Sequence, residues 1–131
     1  MPLANRAQSH RLKGKRILVV EDHDLLGSII LEFLKHYDHA SHARSGKEAL
    51  DEIQRQPPSA ILLDISLPDI SGLEVVRLIR KNKNTKSIPI LAMSASREEE
   101  DQCLRAGCNG FILKPFDCQQ LLNQLNALLA P

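Results

Sequence analysis

Three carboxylates, one hydroxyl and one ammonium group each stand directly after a short apolar run of the sequence. The carboxylates are Glu21, Asp22 and Asp64, the hydroxyl belongs to Ser94 and the ammonium to Lys114. Carboxylates that lie close together repel one another, which raises their pKa values unless a cation lies among them. An all-oxygen ligand set suits Mg²⁺, which keeps several waters and binds one or two carboxylates together with phosphate oxygens. If these groups converge, they suit phosphoryl transfer, where positioning and charge neutralisation provide most of the catalysis.

The apolar runs that precede these groups predict strands that are buried on both faces. Apolar residues at helical spacing lie between the runs, and a weaker alternation over residues 39–43 predicts an edge strand. Strands separated by helices pair in parallel through right-handed crossovers. We therefore predict a doubly wound α/β fold with a five-stranded parallel sheet, built from residues 17–20, 39–43, 60–63, 88–93 and 111–113. In such sheets the functional site lies beyond the carboxyl ends of the strands.

The helix ends are predicted by short polar patterns. A serine followed three residues later by a glutamate indicates a capping box, and this pattern occurs at Ser45/Glu48, Ser71/Glu74 and Ser96/Glu99. Asp117 is the predicted cap of the last helix, and Gly107 is the predicted end of the fourth.

Composition and charge set the class of protein. The 131 residues are 43% hydrophobic and 25% charged, which is typical of one globular domain. Residues 1–16 carry five basic side chains and no acidic one, so the remainder has a net charge of −4. We interpret residues 1–15 as a flexible basic leader or linker and residues 16–131 as the folded domain. No apolar run approaches the roughly 20 residues that span a bilayer, and no signal peptide is present, so we expect a soluble, cytoplasmic protein.

The cysteines and histidines give little indication of further chemistry. Cys103, Cys108 and Cys118 are odd in number and include no CxxC pair, which favours reduced thiols over disulfides or zinc. His23 is interpreted as a solvated residue at a helix start. The histidines that recur every third residue span a helix end and a strand, where that spacing does not converge, so we expect surface side chains at His36, His39 and His42.

Four motifs in order resemble the receiver domain of two-component response regulators. They are ILVVED at residues 17–22, LDISLPDISG at 63–72, MSA at 93–95 and ILKPF at 112–116. The resemblance covers about residues 16–129 and is greatest to stand-alone regulators or to the receiver domains of hybrid histidine kinases. It implies a flavodoxin-like fold with strand order 2-1-3-4-5.

The resemblance also implies a phosphoacceptor and a metal site. Asp64 would attack a phosphohistidine and become an aspartyl phosphate. Glu21, Asp22, Asp64 and the main-chain carbonyl of Ser66 would hold Mg²⁺. Glu21 stands where aspartate is commoner, so we expect its longer side chain to reach the metal through a water.

The remaining family positions imply a switch. Lys114 would pair with Asp64 and then with the phosphoryl oxygens, and Ser94 would hydrogen-bond to the phosphoryl group. Phe111 matches the aromatic switch position, where tyrosine is frequent. The Lys114–Pro115 peptide bond is expected to be cis. Phosphorylation would then alter the face formed by the fourth helix, the fifth strand and the fifth helix.

These roles imply a signalling protein rather than an enzyme. The expected partners are a sensor histidine kinase or a histidine phosphotransfer domain and a downstream protein, with no direct contact to nucleic acid or membrane. The fifth helix carries amides rather than basic residues, so we expect a monomer or a weak dimer. An aspartyl phosphatase of the haloacid dehalogenase type would need an acid where Ser66 stands. A phosphate-independent interaction module is disfavoured by Asp64 and Lys114.

Overall fold

The computed structural model describes residues 14–36 and 39–129. Most of the predicted leader, residues 1–13, lies outside the described residues, so the domain boundary stays a prediction. In chain order the elements are β1 (Arg16–Val20), α1 (Asp24–Lys35), β2 (His39–Ala43), α2 (Gly46–Arg55), β3 (Ala60–Asp64), α3 (Gly72–Lys81), β4 (Ile90–Ser94), a 3₁₀ turn (Arg97–Glu99), α4 (Glu100–Ala106), β5 (Gly110–Leu113) and α5 (Cys118–Leu129).

The strands form one parallel sheet in the order β2-β1-β3-β4-β5, which confirms the predicted fold class and strand order. All residues of β3 and β4 are buried, as continuous apolar runs predict for central strands. The edge strand β2 exposes alternate residues, in agreement with its weaker pattern. Strand β4 begins later than predicted, because Pro89 offers the sheet only its carbonyl, which accepts a hydrogen bond from Ile61 N at 2.9 Å.

Each face of the sheet has its own core, since successive strand residues point to opposite faces. One core packs alternate strand residues such as Leu18 and Leu63 against α2, α3 and α4. The other packs their neighbours, such as Val19 and Leu62, against α1 and α5. Within the described part of the chain, no helix is both long enough and apolar enough to cross a membrane.

The helix ends confirm most of the predicted caps. Ser45 and Ser71 cap α2 and α3 through their side chains, and Gly107 ends α4 with a φ of +121°. Asp117 Oδ1 accepts from Gln120 N at 2.8 Å, and Gln120 Oε1 accepts from Asp117 N at 2.9 Å, a reciprocal cap for α5. The box predicted at Ser96 and Glu99 is wrong: the Ser96 side chain caps nothing.

Candidate functional site

The site lies at the carboxyl edge of the sheet, where the strand register aligns the ends of four strands. Asp64 and Ser94 are the last residues of β3 and β4, and Glu21 and Lys114 directly follow β1 and β5. Main-chain hydrogen bonds continue past the strands, since Glu21 N donates to Ala43 O at 3.0 Å and Lys114 N donates to Ser94 O at 2.7 Å. The parallel sheet therefore brings together residues that are distant in sequence.

Three carboxylates converge at this edge. Glu21, Asp22 and Asp64 each place a carboxylate oxygen within 4.8 Å of the other two. Glu21 and Asp64 are only 1% and 4% exposed, whereas Asp22 is exposed. The three carboxylates thus form an oxygen donor set of which one member is open to solvent. This donor set fits Mg²⁺, which prefers oxygen ligands and retains waters.

Lys114 joins the two buried carboxylates. Its Nζ donates to Glu21 Oε1 at 2.7 Å and to Asp64 Oδ2 at 3.1 Å. Burial raises the pKa of Glu21, the nearby Asp64 carboxylate raises it further, and the hydrogen bond from Lys114 only partly offsets them. Burial lowers the pKa of Lys114, but its hydrogen bonds to the two carboxylates outweigh burial and leave that pKa raised. The ammonium is thus held in its charged form among carboxylates that it does not fully neutralise.

The main chain at Glu21 is fixed from the edge strand by His42. The Nε2 atom of His42 lies 2.7 Å from Glu21 O, a hydrogen bond in which the ring N–H donates. Gly27 of α1 makes room for the ring, because a Cβ at that position would lie 2.3 Å from His42 Cε1. His36 and His39 are exposed as predicted, but the surface assignment of His42 is wrong, since its ring is half-buried.

His23 begins α1 as predicted. Its Nδ1 accepts from Leu26 N at 3.3 Å, so the ring caps the helix. The amide of His23 donates to Glu21 Oε2 at 3.2 Å. This contact orients the second oxygen of Glu21, whose first oxygen binds Lys114.

The side chain of Ser94 is hydrogen-bonded to residues of the segment that follows β4. Its hydroxyl donates to the Glu99 carboxylate, and its oxygen accepts from Ser96 N at 3.0 Å. Within residues 14–36 and 39–129, the Ser94 hydroxyl makes no hydrogen bond to the side chain of Asp64 or of Lys114. Glu99 was expected to complete the cap at Ser96, and it contacts Ser94 because a 3₁₀ turn replaces the first turn of the predicted helix.

The loop after Asp64 is held by two carboxylates. Asp64 Oδ1 accepts from Ser66 N at 2.9 Å. Asp69 accepts from Gly46 N and Lys47 N, both at 2.9 Å, and so caps α2 from a distant loop. These main-chain hydrogen bonds lower the pKa of Asp69. No local pattern predicts this role of Asp69, because Ser45 already accounts for the expected cap of the same helix.

The predicted switch residue Phe111 lies on β5, the strand that Lys114 directly follows. Phe111 is 8% exposed and belongs to the core under α2, α3 and α4. The Lys114–Pro115 peptide bond is cis. A cleft of about 570 Å³ separates α4 from α5 over β5, and its lining includes Arg97, Glu100, Phe111, Gln120 and Asn123.

Comparison with known proteins shows the family. A family model described as the response regulator receiver domain matches residues 17–126. The chain belongs to the response regulator receiver domain family. This receiver domain is 30% identical over 118 residues to the polar-differentiation response regulator DivK of Brucella ovis, covering 88% of this chain and 96% of DivK.

Solved structures agree with that assignment. The receiver domain of a sensor histidine kinase of Pseudomonas aeruginosa, with a magnesium ion in its active-site cleft, is 31% identical with a TM-score of 0.83 over 90% of this chain and 99% of that one. A chemotaxis response regulator of Vibrio cholerae is 26% identical with a TM-score of 0.83 over 87% of this chain and 98% of that one. The protein is therefore a receiver domain of two-component signalling.

Proposed function

We propose that this receiver domain accepts a phosphoryl group on Asp64 in a Mg²⁺-dependent reaction. The donor would be a phosphohistidine of a sensor histidine kinase or of a histidine phosphotransfer domain. The observation that carries the proposal is the position of Asp64: it ends β3 next to two further carboxylates, with Lys114 Nζ 3.1 Å from its Oδ2. None of these residues belongs to the two hydrophobic clusters that pack the faces of the sheet.

The chemistry follows from the contacts of Asp64. One carboxylate oxygen would form a bond to phosphorus while the bond between phosphorus and the donor's imidazole nitrogen breaks. The amide of Ser66 holds Oδ1 at 2.9 Å, which orients the carboxylate. Lys114, already paired with Asp64, would move its ammonium to the phosphoryl oxygens and stabilise the charge that gathers there.

Glu21, Asp22, Asp64 and the main-chain carbonyl of Ser66 would hold Mg²⁺. When bound, the ion offsets the charge of the carboxylates and of the phosphoryl oxygens. The oxygen donor set of the first three residues supports this proposal, as does the magnesium ion in the Pseudomonas aeruginosa receiver domain. Because Glu21 already binds Lys114 and the His23 amide, we expect it to contact the ion through a water.

Phosphorylation would then act as a switch rather than start a catalytic cycle. Ser94 would hydrogen-bond to the new phosphoryl group, and Phe111 would respond by repacking between α4 and α5. The face formed by α4, β5 and α5 would change and bind a downstream protein. We propose a cytoplasmic monomer or weak dimer that contacts neither nucleic acid nor membrane and whose only reactions are its own phosphorylation and dephosphorylation.

A small phosphodonor tests this function without knowledge of the kinase. Wild-type protein incubated with acetyl phosphate and Mg²⁺ should gain one phosphoryl group, seen by intact-mass spectrometry, and should lose the reaction when the metal is chelated. Asp64→Asn should abolish labelling, whereas Asp51→Asn, an exposed carboxylate on α2, should label normally. Normal labelling of Asp64→Asn, or labelling that ignores Mg²⁺, would contradict the proposal.

A further inference from the structure

We propose that Glu99 is a positioning residue that holds the Ser94 hydroxyl away from the phosphoryl site until Asp64 is phosphorylated. The inference rests on the proposed function, because it assigns Ser94 to the phosphoryl group. Glu99 would act as a competing acceptor, and its strength would set how readily phosphorylation recruits Ser94.

The competition follows from the chemistry of a hydroxyl. Ser94 has one proton to donate and is 1% exposed, so water does not supply an alternative partner. Its hydroxyl donates to Glu99, while its oxygen accepts from Ser96 N at 3.0 Å. A carboxylate is a stronger acceptor than the Ser96 carbonyl, which lies 3.1 Å away. The phosphoryl group must therefore compete with the anionic Glu99 carboxylate for the hydrogen bond that the Ser94 hydroxyl donates.

The 3₁₀ turn places Glu99 for this role. Glu99 N donates to Ser96 O at 3.1 Å, which turns the chain back on itself and returns the glutamate to the end of β4. The two glutamates beside it do not share the contact. Glu98 is exposed, and Glu100 pairs with Arg97 at 3.2 Å. Of three consecutive glutamates, one is thus turned toward Ser94.

Release of Ser94 also links the site to the switch face. The residues between Ser94 and α4 form a loop that would follow Ser94 if its hydroxyl moved to the phosphoryl group, and the Glu99 contact closes that loop on itself. Breaking the contact would free both the hydroxyl and the start of α4. Removing Glu99 should therefore lower the cost of the active conformation, and a ligand that selects this conformation should bind more tightly.

Beryllofluoride, an analogue of the phosphoryl group on aspartate, provides the test. Its Kd in the presence of Mg²⁺ would be measured by titration calorimetry for wild type, Glu99→Ala, Glu99→Gln and Glu98→Ala. Loss of one hydrogen bond predicts about threefold to tenfold tighter binding by Glu99→Ala. Glu99→Gln keeps a neutral acceptor and should fall between. Glu98→Ala removes an equal charge nearby and should match wild type.

A Ser94→Ala background separates positioning from general electrostatics. In that background the Glu99→Ala substitution should have no further effect on the Kd, because the Ser94 hydroxyl that Glu99 binds is absent. Equal effects of Glu99→Ala and Glu98→Ala, or a Glu99→Ala effect that persists without Ser94, would overturn the inference alone. Failure of wild type to bind beryllofluoride, or equal binding by Asp64→Asn, would overturn the proposed function and the inference with it.

Discussion

The charged side chains at the two ends of the sheet differ in the partners that they bind. At the carboxyl end, three carboxylates meet, and the ammonium of Lys114 pairs with two of them, Glu21 and Asp64. At the amino end, two guanidinium groups bind chiefly main-chain carbonyls. Charged groups whose partners all belong to the fold stabilise it, whereas carboxylates left with excess negative charge favour the binding of a cation.

Arg80 is the clearest case at the amino end. Its guanidinium donates to Gly107 O at 2.9 Å, to Lys86 O at 2.8 Å and to Ile88 O at 2.7 Å, so one side chain of α3 fixes the loops before β4 and β5. Arg16 does the same before β3, with hydrogen bonds to Gln56 O at 2.8 Å and Pro57 O at 2.9 Å.

The largest expected effect on stability is at this end. Arg80→Ala leaves several loop carbonyls without their donor and should lower the free energy of unfolding by about 2–3 kcal/mol. Urea unfolding measures it. Arg77→Ala, one turn earlier and exposed, should change stability by less than about 0.5 kcal/mol. If the Arg80 variant were as stable as the Arg77 variant, the hydrogen bonds of Arg80 to the loop carbonyls would not stabilise the fold as proposed.

At the carboxyl end, removing charge should have the opposite sign. Asp64→Asn relieves carboxylate crowding and keeps an acceptor for the Ser66 amide, so the metal-free domain should gain about 1 kcal/mol of stability. The same variant should lose most of the stabilisation that saturating Mg²⁺ gives wild type, about 2.7 kcal/mol at a hundredfold excess over Kd. Asp51→Asn should change neither quantity. If metal-free Asp64→Asn were less stable than wild type, repulsion among the three carboxylates would not be what limits the stability of this end.

Asp69 differs from the three clustered carboxylates at the carboxyl end, because main-chain amides of α2 bind it. Its main-chain hydrogen bonds lower its pKa, so ionised Asp69 stabilises the fold above the ordinary carboxyl pKa of 3.8, and this contribution is lost as the pH falls through the lowered value. Asp69→Asn should therefore be slightly less stable than wild type at neutral pH, and the two should converge as the pH falls below 3.8 and through the lowered pKa of Asp69. A difference in urea midpoint that stays constant with pH would count against this role.

The same contrast explains what the sequence could predict. The strands were predictable because β1, β3 and β4 are continuous apolar runs, and parallel pairing then brings Asp64 and Lys114 to one edge whatever the loops do. Caps such as Ser45 and Asp117 were predictable because their partners lie three residues away.

Contacts that depend on the path of a loop were not predictable. His42 meets Glu21 O only because two strands lie in register and Gly27 leaves room. Glu99 meets Ser94 only because a 3₁₀ turn replaces an α-helical one. Each has a ready local interpretation, as a surface histidine or as a capping residue, that the tertiary structure overrides.

The most direct test of the account is the position of the phosphoryl group. Wild-type protein labelled with acetyl phosphate and Mg²⁺ would be reduced with borohydride, which converts an aspartyl phosphate to homoserine, and then digested and sequenced by mass spectrometry. We expect the reduced residue at position 64 and at no other carboxylate. Homoserine at position 22 in place of position 64, or a phosphoryl group that resists borohydride, would contradict the account.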